Sequence, residues 1–164
     1  MTNLLLCRYH NAKNMTTIKK ITACDIARYF ITCGIDSEEE GISNLKLQKL
    51  VYYAQGYHLA MYDVPFFDEP IQAWRHGPVC PDVYQKYKSY GARPITEHND
   101  EDFTKTFTKD HLDLLDEVYS VFGQFAAWKL RDMTHEEEPW KNHEALAEEI
   151  PQEEMRLYFK TRLN

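Results

Sequence analysis

The stretch from Ser43 to Met61 constrains this chain more than any other, because Leu47, Leu50, Val51, Ala54, Tyr57, His58 and Met61 recur at steps of three and four residues. That spacing stacks side chains on one face of an α-helix and does not fit the two-residue period of a strand. Ser43 is suited to accept a hydrogen bond from the first free backbone N–H groups of such a helix. Pro65 ends the pattern, since proline lacks the N–H that a further turn needs. The spacing predicts a helix over about Ser43 to Tyr62, placed at the centre of the core.

The flanking segments supply what covers it. Thr22, with Asp25 three residues on, reads as a capping box before a helix that carries Ile26, Tyr29, Phe30 and Cys33 on one face and stops at Gly34. Residues 36–41 have nothing to bury and read as an exposed loop. Glu69 to His76 carries Ile71, Ala73 and Trp74 between Pro70 and Gly77-Pro78, which predicts a small strand or hairpin near residues 69–76. Pro81 suits the first turn of a helix with Val83, Tyr84 and Tyr87 that closes at Gly91. After a turn-like stretch, Thr108 caps a helix to Phe122 whose buried stripe is read as Leu112, Leu115, Val118, Tyr119 and Phe122, and Gly123 stops or bends it. A shorter helix runs through Trp128 and Leu130, Thr134 is suited to cap another turn while Pro139 limits the preceding one, and Pro151 opens a last helix with Met155, Tyr158 and Phe159. The expectation is a mainly α, compact single-domain fold over residues 15–164. Residues 1–14, which lack periodicity, are read as a flexible N-terminal tail.

Composition narrows the function. Eleven Tyr and eight Phe argue for a packed core rather than disorder, since each buries a large area on folding. A formal charge of −7 opposes non-specific attraction to nucleic acid and favours basic or neutral protein partners. The local basic groups, Lys46 with Lys49, then Lys86, Lys88 and Arg93, then Arg156, Lys160 and Arg162, read as solvated helix faces. The four cysteines are scattered without a CxxC pair, and no secretory leader or membrane-length apolar run is recognisable, so a cytoplasmic protein is expected.

No complete catalytic or metal-binding set emerges. His135-Glu136 begins like an HExxH zinc site, but Pro139 stands where the second histidine belongs. The six glycines approach neither GxGxxG nor a P-loop. Cys24 and Cys33 lie on or near an apolar helix face, which leaves Cys80, near His76, as the sole candidate nucleophile, without a third group to orient a base. No enzyme activity, metal or cofactor is expected.

The run SNLKLQKLVYYAQGYHLAMYDVPFFDEPIQAWRHGPVCPDVY, Ser43 to Tyr84, resembles the Panacea antitoxin domain, the family of SocA-like and phage-associated GepA-like proteins. Its marks are Leu47-Gln48-Lys49-Leu50 with Tyr52-Tyr53-Ala54, then Phe67, Glu69, Ala73-Trp74 and Gly77-Pro78-Val79. Leu130, Thr134-His135-Glu136 and Pro139-Trp140 continue the resemblance, which spans about residues 18 to 160. It implies a mostly helical antitoxin that neutralises a cognate protein toxin by direct binding, without catalysis. The partners of such domains are structurally diverse, so the resemblance leaves the toxin's identity open, along with any role as a protease adaptor.

Each mark also has a structural reading. Leu47, Leu50, Val51 and Ala54 are what any buried helix shows. Gly77-Pro78 is a backbone device, glycine supplying unusual torsions and proline pushing its predecessor out of the helical region. Trp140 and His135 are read as closing the core. Trp74, Arg75, His76 and Tyr84 are the candidate partner-binding residues, because an aromatic beside an arginine is the composition of an interface hot spot. Two rival readings stand beside the antitoxin: a DNA-binding transcriptional regulator of a phage or mobile element, and a small hydrolase using Cys80 or the His135 region.

Overall fold

Helix α2, Asn44–Tyr62, is enclosed on all sides: every residue from Lys46 to Met61 is buried. The computed structural model describes residues 20–37 and 41–163; the segment read as a tail, and residues 38–40 of the acidic loop, lie outside the described residues. Around α2 pack α1 (Ala23–Asp36), α3 (Pro81–Tyr87), α4 (Lys109–Phe122), α5 (Ala127–His135) and α7 (Gln152–Lys160). The short α6 (Glu138–Lys141) bridges α5 and α7. The architecture is mainly α, with seven α-helices and one two-stranded antiparallel sheet among the described residues.

Start signals in the sequence become caps. The Thr22 side chain accepts from the Asp25 N–H while Asp25 accepts from the Thr22 N–H at 2.8 Å, closing the capping box of α1. Ser43 accepts from the Lys46 N–H, and Thr108 forms a second box with His111. Three local expectations are corrected. Gly34 does not stop α1; it lies inside the helix, where an added Cβ would come within 2.7 Å of Ile42, so its role is close packing. The stripe of α4 is His111, Leu114, Leu115, Val118 and Phe122, with Leu112 and Tyr119 only half-buried, because the helix is rotated toward α1 and α2. Thr134 caps nothing: it sits in the last turn of α5, its hydroxyl donating back to the Arg131 carbonyl at 2.8 Å.

The β element is a hairpin, β1 (Gln72–Trp74) against β2 (Gly77–Val79), with Arg75 and His76 as its two-residue turn. Its second strand falls just past the segment in which the sequence suggested extension. The outer edge of β1 is covered by residues 148–150, with Ala73 donating to the Glu148 carbonyl and Ile150 to the Ile71 carbonyl. Such pairing removes an exposed strand edge.

Candidate partner-binding surface

The hairpin is fixed to α2 by polar side chains that the core encloses. Gly77 has φ +103, a torsion closed to most side-chain-bearing residues, and a Cβ there would lie 2.7 Å from Lys49 Cε and 2.8 Å from Thr134 Oγ1. That close approach lets Lys49 Nζ donate to the Pro78 carbonyl at 3.0 Å. Gln48 holds the next turn: its amide oxygen accepts from the Cys80 N–H at 2.9 Å and its amide nitrogen donates to Asn44. Gln55 does the same for the loop after α2, accepting from the Phe66 N–H and donating to the Phe67 carbonyl, both at 2.8 Å. The reading of Lys46 and Lys49 as a solvated basic pair is therefore corrected: both are buried, and Lys46 donates to the Gly123 carbonyl. Burial lowers the Lys49 ammonium to about 7, with the nearby Arg131 charge adding to the effect.

The remaining quoted positions also find places. Leu47, Leu50, Tyr53, Ala54, Ala73 and Val79 are buried, and Pro139 and Trp140 close the core beside the hairpin. The half-buried His135 stacks on Trp140, ring centroids 3.7 Å apart, and Trp140 Nε1 donates to the Trp74 carbonyl at 2.8 Å.

The four residues singled out for partner contact lie together around this hairpin. Trp74 is half-buried, its indole N–H donating to Gln72 at 2.8 Å and its ring meeting Tyr84 edge-on at 5.0 Å. Arg75 and His76 are exposed at the turn. Sequence reasoning missed a fifth member: Trp128, on the first turn of α5, is 58% exposed and meets the His76 ring edge-on at 5.6 Å, with the Arg131 guanidinium 5.7 Å from its ring centroid. Nothing in its immediate sequence, Phe125-Ala126-Ala127-Trp128-Lys129-Leu130, marks it as exposed. Around the hairpin turn lie the exposed Trp128 and Arg75 and the half-buried Trp74, residue types suited to protein recognition.

Burial favours the neutral form of both groups named in the hydrolase reading, Cys80 and His135. Cys80 is buried at the start of α3, and burial pushes its thiol up to about 12. Burial also holds His135 below the ordinary imidazole value, the charges of Arg131 and Lys49 adding to the effect.

Residues 47–141 match the model of the family described as Antitoxin SocA-like, Panacea domain, more than half of the chain. The chain belongs to this family. Over 54 residues it is 43% identical to the Antitoxin SocA of Caulobacter vibrioides, a stretch that makes up 33% of this chain and 29% of that relative. No solved structure matches. The matched Panacea region begins in α2, runs through the hairpin and ends with α6, so every polar tie between α2 and the hairpin falls inside it. Among the described residues, no helix is long and apolar enough to cross a membrane.

Proposed function

We propose that this chain is an antitoxin that neutralises a cognate protein toxin by direct contact, with the hairpin turn and its aromatic surroundings forming part of the contact surface. Family membership carries the antitoxin role; the exposed Trp128 beside His76, Arg75 and the Trp74–Tyr84 pair supports the mode of action. Large, stiff aromatic side chains lose little entropy on binding and bury much area, and arginine adds directional donors. A Cys80 thiol held far above neutral pH works against nucleophilic detoxification of the partner. Burial of Lys46 and Lys49 removes the basic pair on which a DNA-binding helix would draw, and the overall charge of −7 opposes phosphate contact.

The reading is tested by expressing the toxin gene adjacent to this one with and without the wild-type chain. Growth rescue that scales with the amount of this protein is expected, as a stoichiometric inhibitor requires. Toxicity that persists in the presence of folded, abundant protein overturns the reading.

A further inference from the structure

The chain that covers the outer edge of β1 is held there by little. Between His143 and the buried Ile150, residues 144–149 are all exposed, Leu146 at 78%, so this strap buries no side chain of its own. Two backbone hydrogen bonds attach it to β1, Ala73 donating to the Glu148 carbonyl at 2.9 Å and Ile150 to the Ile71 carbonyl at 2.8 Å. In its middle Ala147 has φ +52 and ψ +38, a left-handed conformation that a Cβ disfavours. Few buried contacts and few bonds place such a segment at the low-stability end of a fold.

The half-buried His143 is the side chain that ties the strap to the helices. Its Nε2 donates to the carboxylate of Glu154 on α7 at 2.6 Å, and its Nδ1 lies 3.6 Å from the carboxylate of Glu148 in the strap. A neutral imidazole carries one N–H. With that proton given to Glu154, the neutral ring turns a lone pair toward Glu148, whereas the protonated ring offers an N–H to each acid. The surroundings favour the second state. Glu138 on α6 lines the same groove as Glu154, Lys141 on α6 is engaged with Glu136 at 3.1 Å, and Arg156 on α7 is engaged with Glu153 and Asp63. Residues 144–146 pack on β1, which brings only Gln72, Ala73 and Trp74. The hydrogen bond to Glu154 holds the imidazole above its ordinary value, with burial opposing and the Glu154 charge and Glu148 adding to the rise.

We propose that His143 is a proton-operated latch, closing the strap 144–149 over β1 when its ring is doubly protonated and releasing it from the Glu148 end when the ring is neutral. The protonated form prevails below the raised value, so closure is complete at low pH and is lost as pH rises through that value. Release frees the Ala73 N–H and the Ile71 carbonyl on the edge of the strand that carries Trp74, so the latch sets what β1 presents beside the hairpin turn.

Amide hydrogen exchange on the full chain, corrected for the intrinsic chemical rate, tests this. Protection at Ala73 and Ile150 is divided by protection at Ile95, which donates to the Ile42 carbonyl, so that changes in global stability cancel. The ratio should fall about twofold to fivefold from about pH 5 to about pH 9, the range that a partly exposed ion pair supports. Its midpoint should coincide with the His143 titration read from the ring proton shifts. In Glu148→Gln, a change at an exposed side chain, the ratio should lose its dependence on pH and the His143 midpoint should drop; His143→Gln should be equally flat. A ratio that stays constant with pH in the wild type, or that falls equally in Glu148→Gln, overturns the latch.

Discussion

Lys49 is a cation placed where solvent does not reach, 0% exposed, with its ammonium nitrogen against the Pro78 carbonyl. Its folded value of about 7 lies below the 10.5 of the free side chain, so between these two pH values the unfolded chain carries a proton that the folded chain has lost. Stability therefore rises with pH across that window and is penalised below it. Measured against Lys49→Met, wild type should gain up to about 1.4 kcal/mol per pH unit from pH 7 toward 10 in urea denaturation. Parallel curves for the two proteins would show that Lys49 is solvated. In the sequence this residue is indistinguishable from a surface lysine, because Lys and Glu are almost never fully buried; the close approach of Gly77 that makes room for it exists only in three dimensions. Glu137, half-buried with its carboxylate accepting the hydroxyls of Tyr52 and Tyr53, was hidden within the acidic run Glu136-Glu137-Glu138.

Helix α2 shows what periodicity conveys and what it omits. Its extent from Ser43 to Tyr62 was readable from apolar spacing, a cap and a proline, and so were α4 and the presence of a hairpin. That α2 is covered on its polar side too was not, since Gln48, Lys49 and Gln55 look like a solvent face until their partners arrive from the loop and hairpin that follow. Gly56 reports directly on this enclosure. An alanine Cβ there would lie 2.2 to 2.6 Å from three ring atoms of Phe159 on α7. Helix propensity alone favours Gly56→Ala by about 1 kcal/mol; the clash should reverse the sign, leaving a net loss of about 1–3 kcal/mol by chemical denaturation. Adding Phe159→Leu should cost less than the sum of the two single changes. Stabilisation by Gly56→Ala would mean that α7 does not pack against this face. Leu50→Ala, with the leucine fully buried, should cost about 2–5 kcal/mol, whereas a soluble variant with an unchanged midpoint would place the α2 core face elsewhere.

At the scale of the whole molecule, an acidic chain encloses its central polar residues and leaves aromatic groups exposed around one hairpin. The sequence contained Trp74, Arg75, His76 and Tyr84 as a cluster because they lie close along the chain. Trp128 joins them only through the docking of α5 against β2, a contact without local sequence signal. Arg75 and Trp128 are the sharper probes of function, since the Trp74 carbonyl and ring are tied into the fold through Trp140 and Tyr84. Neutralisation by binding is tested most directly by titrating the purified toxin, encoded beside this gene, into the wild-type chain and into Arg75→Ala, Trp128→Ala and Cys80→Ala, each checked for folding. A stoichiometric complex is expected, weakened by about 2 kcal/mol where Arg75 or Trp128 is a hot spot and unchanged in Cys80→Ala. Growth rescue without any complex, abolished by Cys80→Ala or His135→Ala in a folded protein, would contradict neutralisation by binding.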